Sequence, residues 1–208
     1  MKIKVCGMKF PENALQVAAL QPDYLGFIFY PHSPRFVGYE VNEELAMLRL
    51  SAKKVGVFVD KDFSTIKNII QTYQLDAVQL HGNEPAEMCA ALKDKVEVIK
   101  AFGVDDHFDF DQLKTYENVV DYFLFDTKTT AYGGSGEAFD WQMLEKYHLN
   151  VPFFISGGLS NENIGSVLNF KHPAFYGVDL NSRFEDEPGL KNIKKLEEAF
   201  RLIKAENV

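Results

Sequence analysis

Residues 122–140 read YFLFDTKTTAYGGSGEAFD. Tyr122-Phe123-Leu124-Phe125 is an apolar strand that stops on a carboxylate, Asp126. A polar loop with Gly133, Gly134, Ser135 and Gly136 follows, and a helix is predicted from Trp141 to Tyr147. Glycines let backbone N–H groups approach a phosphate closely, and they let a loop move. An acid at the exit of a buried strand, beside such a loop, points to chemistry next to an anion. A strand that ends in an ordinary turn containing Asp and Gly reads the same way.

The unit repeats in both directions. Strands are predicted at 3–6, 24–29, 55–59, 77–80, 96–101, 121–125, 151–155 and 174–178. Helices are predicted at 11–20, 41–50 with Asn42 as N-cap, 64–73, 84–92, 108–116, 141–147, 161–169 and 190–204. Pro11 suits a helix start. Strand starts recur about every 20–30 residues, the spacing of strand–helix units. Strands such as 24–29 and 55–59 are apolar on both faces, as a parallel sheet covered on both sides requires. Eight such units predict a single (β/α)8 TIM barrel over residues 1–208, near the lower size limit of about 200 residues. An open doubly wound sheet is the alternative. It is disfavoured because no Gly-rich dinucleotide fingerprint follows the first strand.

The chain has 46% hydrophobic and 25% charged residues, an ordinary globular balance. Its net charge of -8 excludes the basic footprint of a nucleic-acid binder. No apolar run is long enough to span a bilayer. Cys6 and Cys89 are far apart and form no disulfide framework. With no apparent signal peptide, a cytoplasmic location is expected. No cluster of His, Cys and carboxylates has metal-ligand spacing, so no metal is expected.

In a barrel, residues just past each strand face one mouth. Those positions hold Cys6, Arg35, Asp60, Gln79, His81, Asp126, Ser156-Gly157-Gly158 and Asp179. Gly157 and Gly158 open a helix, and Asn181-Ser182 follows the last strand. The loops there commonly hold phosphate on helix N-terminal N–H groups, although Gly-Gly also serves a tight turn. Lys2, Lys4 and Cys6 alternate onto one strand face, which puts Lys4 roughly 6.5–7 Å from Cys6. A cation at that range is expected to lower the thiol pKa, while a core cysteine is otherwise inert. Cys89 falls at an apolar helix position and is expected in the core. Arg35, stiffened by Pro34, can grip a carboxylate or phosphate with two parallel bonds, or sit on the surface. His81 can orient a substrate or cap its turn.

Six motifs stand in one order: KVCGM at 4–8, GFIFYPHSPR at 26–35, VQLHG at 78–82, FDT with GGSGEAFDW at 125–141, SGGL at 156–159 and GVDLNS at 177–182. Together they resemble the phosphoribosylanthranilate isomerases, along the whole chain. The resemblance implies a (β/α)8 barrel of tryptophan biosynthesis. It implies an Amadori rearrangement of N-(5-phosphoribosyl)anthranilate, with no cofactor and no metal. It implies Cys6 as general base, Asp126 as general acid and Arg35 on the anthranilate carboxylate. Amides near Gly134, Ser135 and Gly136, at Gly157 and Gly158, and at Asn181 and Ser182 would hold the phosphate. Asp179 would touch the ribose or the aniline nitrogen, with Gln79 and His81 lining the substrate. The partner is then a small phosphosugar. A monomer is expected, with a homodimer as the alternative.

The pattern departs from the family at Arg183-Phe184-Glu185, where Gly and an apolar residue commonly precede Glu. Another phosphosugar barrel remains open: a metal-dependent epimerase, or an indole-glycerol-phosphate synthase, for which Lys100 is the one hint. A non-catalytic phosphate-binding barrel would keep the glycine loops without needing Cys6 or Asp126.

Overall fold

The structure is a computed structural model that describes residues 1–127 and 140–205. Eight parallel strands close into a barrel in chain order. They are β1 (Lys2–Val5), β2 (Tyr24–Ile28), β3 (Lys53–Phe58), β4 (Ala77–Leu80), β5 (Glu97–Val104), β6 (Tyr122–Thr127), β7 (Phe153–Ile155) and β8 (Phe175–Leu180). The seam is β8 on β1, with Lys4 opposite Asp179 and Val5 opposite Leu180.

Strand parity decides what each side chain meets. Tyr24, Val55, Ala77, Ile99, Leu124 and Phe154 fill the barrel interior as one cluster. Cys6, Ile28 and Val57 form the layer above it. The alternate residues, such as Phe27, Val98, Phe123, Phe125 and Val178, join the outer core under the helices. On β6 this parity turns Phe123 and Phe125 outward and carries Leu124 and Asp126 to the inside.

The helices are α1 (Pro11–Ala18), α2 (Glu43–Met47), α3 (Phe63–Tyr73), α4 (Ala86–Lys93), α5 (Ile164–Asn169) and α6 (Ile193–Ala205). Asn42 caps α2 as predicted, accepting from the Leu45 amide at 3.0 Å. Cys89 is fully buried in α4. No described helix is long and apolar enough to cross a membrane.

Five segments differ from the sequence expectation. Residues 110–116 and 141–146 form 3-10 turns in place of α-helices, each begun by an aspartate, Asp109 and Asp140, that accepts from the amide two residues on. Strand β5 continues to Val104, because Phe102 packs among Phe108, Tyr116 and Phe123. Helix α5 starts at Ile164 and not at 161. The Asn163 side chain donates to the Gly158 carbonyl and accepts from the Ser160 amide, both at 2.8 Å, which holds a turn before the helix. Helix α6 starts at Ile193 and not at 190. A small antiparallel hairpin precedes it: β9 (Glu185–Glu187) and β10 (Leu190–Lys191), turning at Gly189 with φ +92°.

Candidate active site

Parallel strands put all eight C-terminal ends at one mouth. Cys6 stands one residue past β1, where its amide donates to the Leu180 carbonyl at 2.9 Å and continues the β1–β8 ladder. Its sulfur lies over Gly26 of β2; a Cβ on that glycine would come within 2.7 Å of Sγ. Two residues earlier, the Lys4 ammonium donates to Asp179 Oδ1 at 2.9 Å. Both side chains are closed to solvent, at 0% and 4% exposure. The same ammonium also favours the Cys6 thiolate, and Ser156 favours the Asp179 anion.

Lys4 does act to lower the thiol pKa, as expected, but it does not set the direction of the net shift. Burial pushes the Cys6 thiol up; Lys4 and Lys191 pull it down, Asp179 pushes it further up, and the net shift is upward. Lys4 shares its charge with Asp179, so the thiolate receives only part of it. Burial lowers the Lys4 pKa, but Asp179 and Cys6 outweigh it and the lysine is held protonated. Asp179 is itself pushed up by burial, against Lys4.

Asp126 belongs to the same field from the β6 side. Burial and then the charge of Asp179 raise its pKa to about 6, against the Thr127 amide and Lys4. The Thr127 N–H donates to Asp126 Oδ1 at 2.9 Å. His81 Nε2 lies 3.7 Å from Asp126 Oδ2. Burial, then Lys100 and Lys4, lower the His81 pKa to about 4, so the ring is neutral near pH 7 and the contact is not an ion pair. Gln79 Nε2 lies 3.4 Å from His81 Nδ1. The Gln79 Oε1 is buried and has no hydrogen-bond partner among the described residues. A buried, unsatisfied carbonyl costs about 1–3 kcal/mol, which a substrate donor can recover.

Gly157 has φ +84°, and a Cβ there would lie 2.7 Å from Asp126 Oδ1 and collide with Thr127. Glycine is therefore needed for the close approach of β7 to the acid, besides any part in phosphate binding. Gly158 (φ +64°) lines an open polar cleft of about 740 Å³ with Ser160, Asn163 and Arg183. Arg183 and Lys195 share that cleft with Glu162 and Glu198. Ser182 begins a single 3-10 turn, Ser182–Phe184. The Asn181 side chain accepts from Lys191 Nζ at 2.8 Å. Gly134, Ser135 and Gly136 lie outside the described residues.

Arg35 is buried at 7% exposure and is no free surface arginine. Its Nε and Nη2 fork onto the Glu185 carboxylate at 2.9, 3.0 and 2.7 Å. Lys191 Nζ reaches the same carboxylate at 2.6 Å. Sequence reasoning missed Glu185 and Lys191 as site residues. The Pro188-Gly189 turn is the one available signal, since it breaks the helix predicted from 190.

Lys100 is excluded as a mouth residue. Its neighbours Ile99 and Ala101 face the barrel interior, so parity turns Lys100 outward. Its ammonium donates to the Leu80 and Gly82 carbonyls at 3.1 and 2.8 Å and pairs with buried Glu84 at 3.2 Å. The synthase alternative loses the lysine that hinted at it.

A family model, curated relatives and solved structures carry one family's name. A family model described as N-(5'phosphoribosyl)anthranilate (PRA) isomerase matches residues 3–201. The N-(5'-phosphoribosyl)anthranilate isomerase of Parabacteroides distasonis is 48% identical over 98% of this chain and 93% of its own. The phosphoribosyl anthranilate isomerase structure from Thermus thermophilus superposes with a TM-score of 0.86 at 29% identity, covering 99% of both chains. A phosphoribosyl anthranilate isomerase in complex with reduced 1-(o-carboxyphenylamino)-1-deoxyribulose 5-phosphate superposes with a TM-score of 0.81 at 29% identity, again over 99% of both chains.

Proposed function

We propose a division of labour in this site from one premise: the chain belongs to the N-(5'-phosphoribosyl)anthranilate isomerase family. It converts N-(5'-phosphoribosyl)anthranilate to 1-(2-carboxyphenylamino)-1-deoxyribulose 5-phosphate in tryptophan biosynthesis. The reaction moves protons and needs no net oxidant.

Asp126, protonated, gives its proton to the furanose ring oxygen as the C1′–O bond breaks. The aniline nitrogen lone pair forms the C1′=N bond, leaving a cationic Schiff base. That cation acidifies C2′–H, and the Cys6 thiolate removes the proton. The resulting enolamine tautomerises: O2′ gives up a proton and C1′ takes one. Arg35 holds the anthranilate carboxylate. Amides at Gly157, Gly158, Asn181 and Ser182, with those near Gly134–Gly136, hold the phosphate. Grips at both ends keep the reacting carbons between acid and base. Gln79 Oε1 accepts from a substrate N–H or O–H, neutral His81 orients the substrate beside Asp126, and Asp179 meets the ribose or aniline nitrogen.

The observation that supports this assignment is the linked field of Cys6, Lys4, Asp179 and Asp126 at one mouth. Both catalytic groups are raised, so the resting pair near pH 7 is largely thiol and carboxylate. One proton passed from sulfur to Asp126 yields the reactive pair of thiolate and acid.

Loss of anthranilate-ribose fluorescence on mixing with purified protein tests the function. Turnover is expected without added metal and in the presence of a chelator. No turnover under either condition would refute it.

A further inference from the structure

The hairpin β9–β10 carries two charges that the reaction above does not use. Glu185 is 4% exposed and Lys191 is fully closed to solvent. Lys191 is anchored on three sides. Its backbone exchanges two hydrogen bonds with Asn13 of α1, at 2.7 and 3.0 Å. Its ammonium donates to Glu185 Oε1 at 2.6 Å, and to Asn181 through both Oδ1 at 2.8 Å and the carbonyl at 3.3 Å. The Glu185 carboxylate also accepts from the Gly189 amide at 3.1 Å, so the tight turn of the hairpin fixes it too.

The fork from Arg35 uses Nε and Nη2, one edge of the guanidinium. The Nη1 nitrogen has no acceptor among the described residues. Arg35 also lies against the residue after the base: a Cβ on Gly7 would come within 2.6 Å of Arg35 Cδ and 2.8 Å of Asn181 Oδ1. The cluster therefore abuts the Cys6 end of the mouth, with one guanidinium edge tied back and one edge free. Two cations share one carboxylate, which leaves one net positive charge. A lone Glu185 would instead neutralise Arg35. Burial disfavours the Glu185 anion, yet Arg35 and Lys191 together hold its pKa below the usual carboxylate range. Burial lowers Lys191 to about 8, which still leaves it mostly charged at pH 7.

We infer that Glu185 and Lys191 are positioning residues for carboxylate selection: Glu185 fixes the plane of the Arg35 guanidinium, and Lys191 offsets the Glu185 charge so that the free edge of Arg35 stays cationic toward the substrate. This rests on Arg35 as the carboxylate grip. A planar, delocalised fork recognises a carboxylate best when its orientation is set before binding.

Two ligands test it by calorimetry on the full chain. One is reduced 1-(2-carboxyphenylamino)-1-deoxyribulose 5-phosphate. The other is the same reduced sugar phosphate with phenylamino in place of carboxyphenylamino. The readout is the ratio of their affinities, which general loss of structure does not move selectively. The wild-type chain is expected to favour the carboxylated ligand, and Arg35→Ala to lose that preference. If Arg35→Ala keeps it, the Arg35 assignment itself fails. If Arg35→Ala loses it, Glu185→Gln decides the inference. Glu185→Gln should cut the preference by about 10-fold or more while leaving the uncarboxylated ligand's affinity nearly unchanged. An unchanged or raised preference, or an equal fall for both ligands, overturns the role of Glu185. Should Glu185→Gln not fold, Glu185→Asp is judged by the same ratio. It keeps the buried charge but withdraws the oxygens from Arg35 by about the 1.5 Å of one C–C bond. Lys191→Met is expected to lower the preference likewise, and full retention would remove Lys191 from the device.

Discussion

The Lys4 ammonium sits 2.9 Å from the Asp179 carboxylate across the seam that closes the barrel, and solvent reaches neither side chain appreciably. Breaking such a pair from one side strands a buried charge, at a cost of about 3–5 kcal/mol. Lys4→Met should therefore lower unfolding stability by that amount in urea titration. A double change, Lys4→Met with Asp179→Leu, removes both charges and should recover most of the loss. Turnover should not recover with it, because the Cys6 thiolate then lacks its nearest cation. Recovery of kcat in the double variant would show that the pair serves the fold alone.

Cys6→Ser and Asp126→Asn should each lose most of kcat while still binding the reduced product analogue. Positioned general acids and bases contribute about 100-fold to 10,000-fold each. Full activity in either variant would remove that residue from its assigned role.

The pH profile of kcat/KM follows from the signs. Asp126 is raised to about 6 and must be protonated to act; Cys6 is raised above the ordinary thiol range and must be deprotonated. Between those two values the resting and reactive pairs hold the same number of protons, so the rate should be flat. Below about pH 6 the resting enzyme gains a proton that the reactive form lacks, and the rate should fall. In Asp126→Asn that exchange is gone. Its residual rate should climb about tenfold per pH unit through neutrality, following thiol ionisation alone. A flat residual profile in Asp126→Asn would contradict the pairing of these two groups.

Much of this was legible in the sequence because it rests on parity and periodicity. Alternation on β1 placed Lys4 and Cys6 on one face, and Asp126 stood at the end of an apolar run in which Phe123 and Phe125 pack outside and Leu124 inside. The barrel followed from eight repeats of one unit. What stayed hidden depends on partners distant in the chain. Lys4 and Asp179 are 175 residues apart, and only the closed seam brings them together. The thiol pKa rises first because Cys6 is buried, and the cation that opposes this shift is shared with Asp179. Glu185 and Lys191 read as an acid after a motif and a lysine at a helix start. The Gly189 turn and the grip of Asn13 bury them instead. Lys100 looked like a strand-end catalyst until its parity was fixed by Ile99 and Ala101.

Arg35→Ala should weaken productive binding more than chemistry. Losing a charge-assisted fork to a substrate carboxylate costs roughly 1.5–3 kcal/mol, about 10-fold to 100-fold in kcat/KM. Removing Arg35 also leaves Glu185 paired with Lys191 alone, so the variant should remain folded. Steady-state kinetics at several substrate concentrations would separate KM from kcat. An unchanged kcat/KM would take Arg35 out of the site.

His81 and Asp126 should tilt the stability of the fold in opposite directions as pH changes. The folded pKa of His81, about 4, lies below its ordinary value of 6.5. The native state therefore favours the neutral ring, and this contribution is whole above pH 6.5 and lost as pH falls through about 4. With the side chain 27% exposed, the loss is on the order of 2–3 kcal/mol. The folded pKa of Asp126, about 6, lies above its ordinary 3.8, so its contribution is whole below pH 3.8 and lost as pH rises through about 6. Urea titrations at pH steps from 3 to 8 would resolve both against the wild type. His81→Gln should gain on the wild type as pH falls from 6.5 toward 4, and Asp126→Asn should gain as pH rises from 4 to 6. Difference curves that run parallel across the range would mean that neither group is perturbed by its place in the barrel mouth.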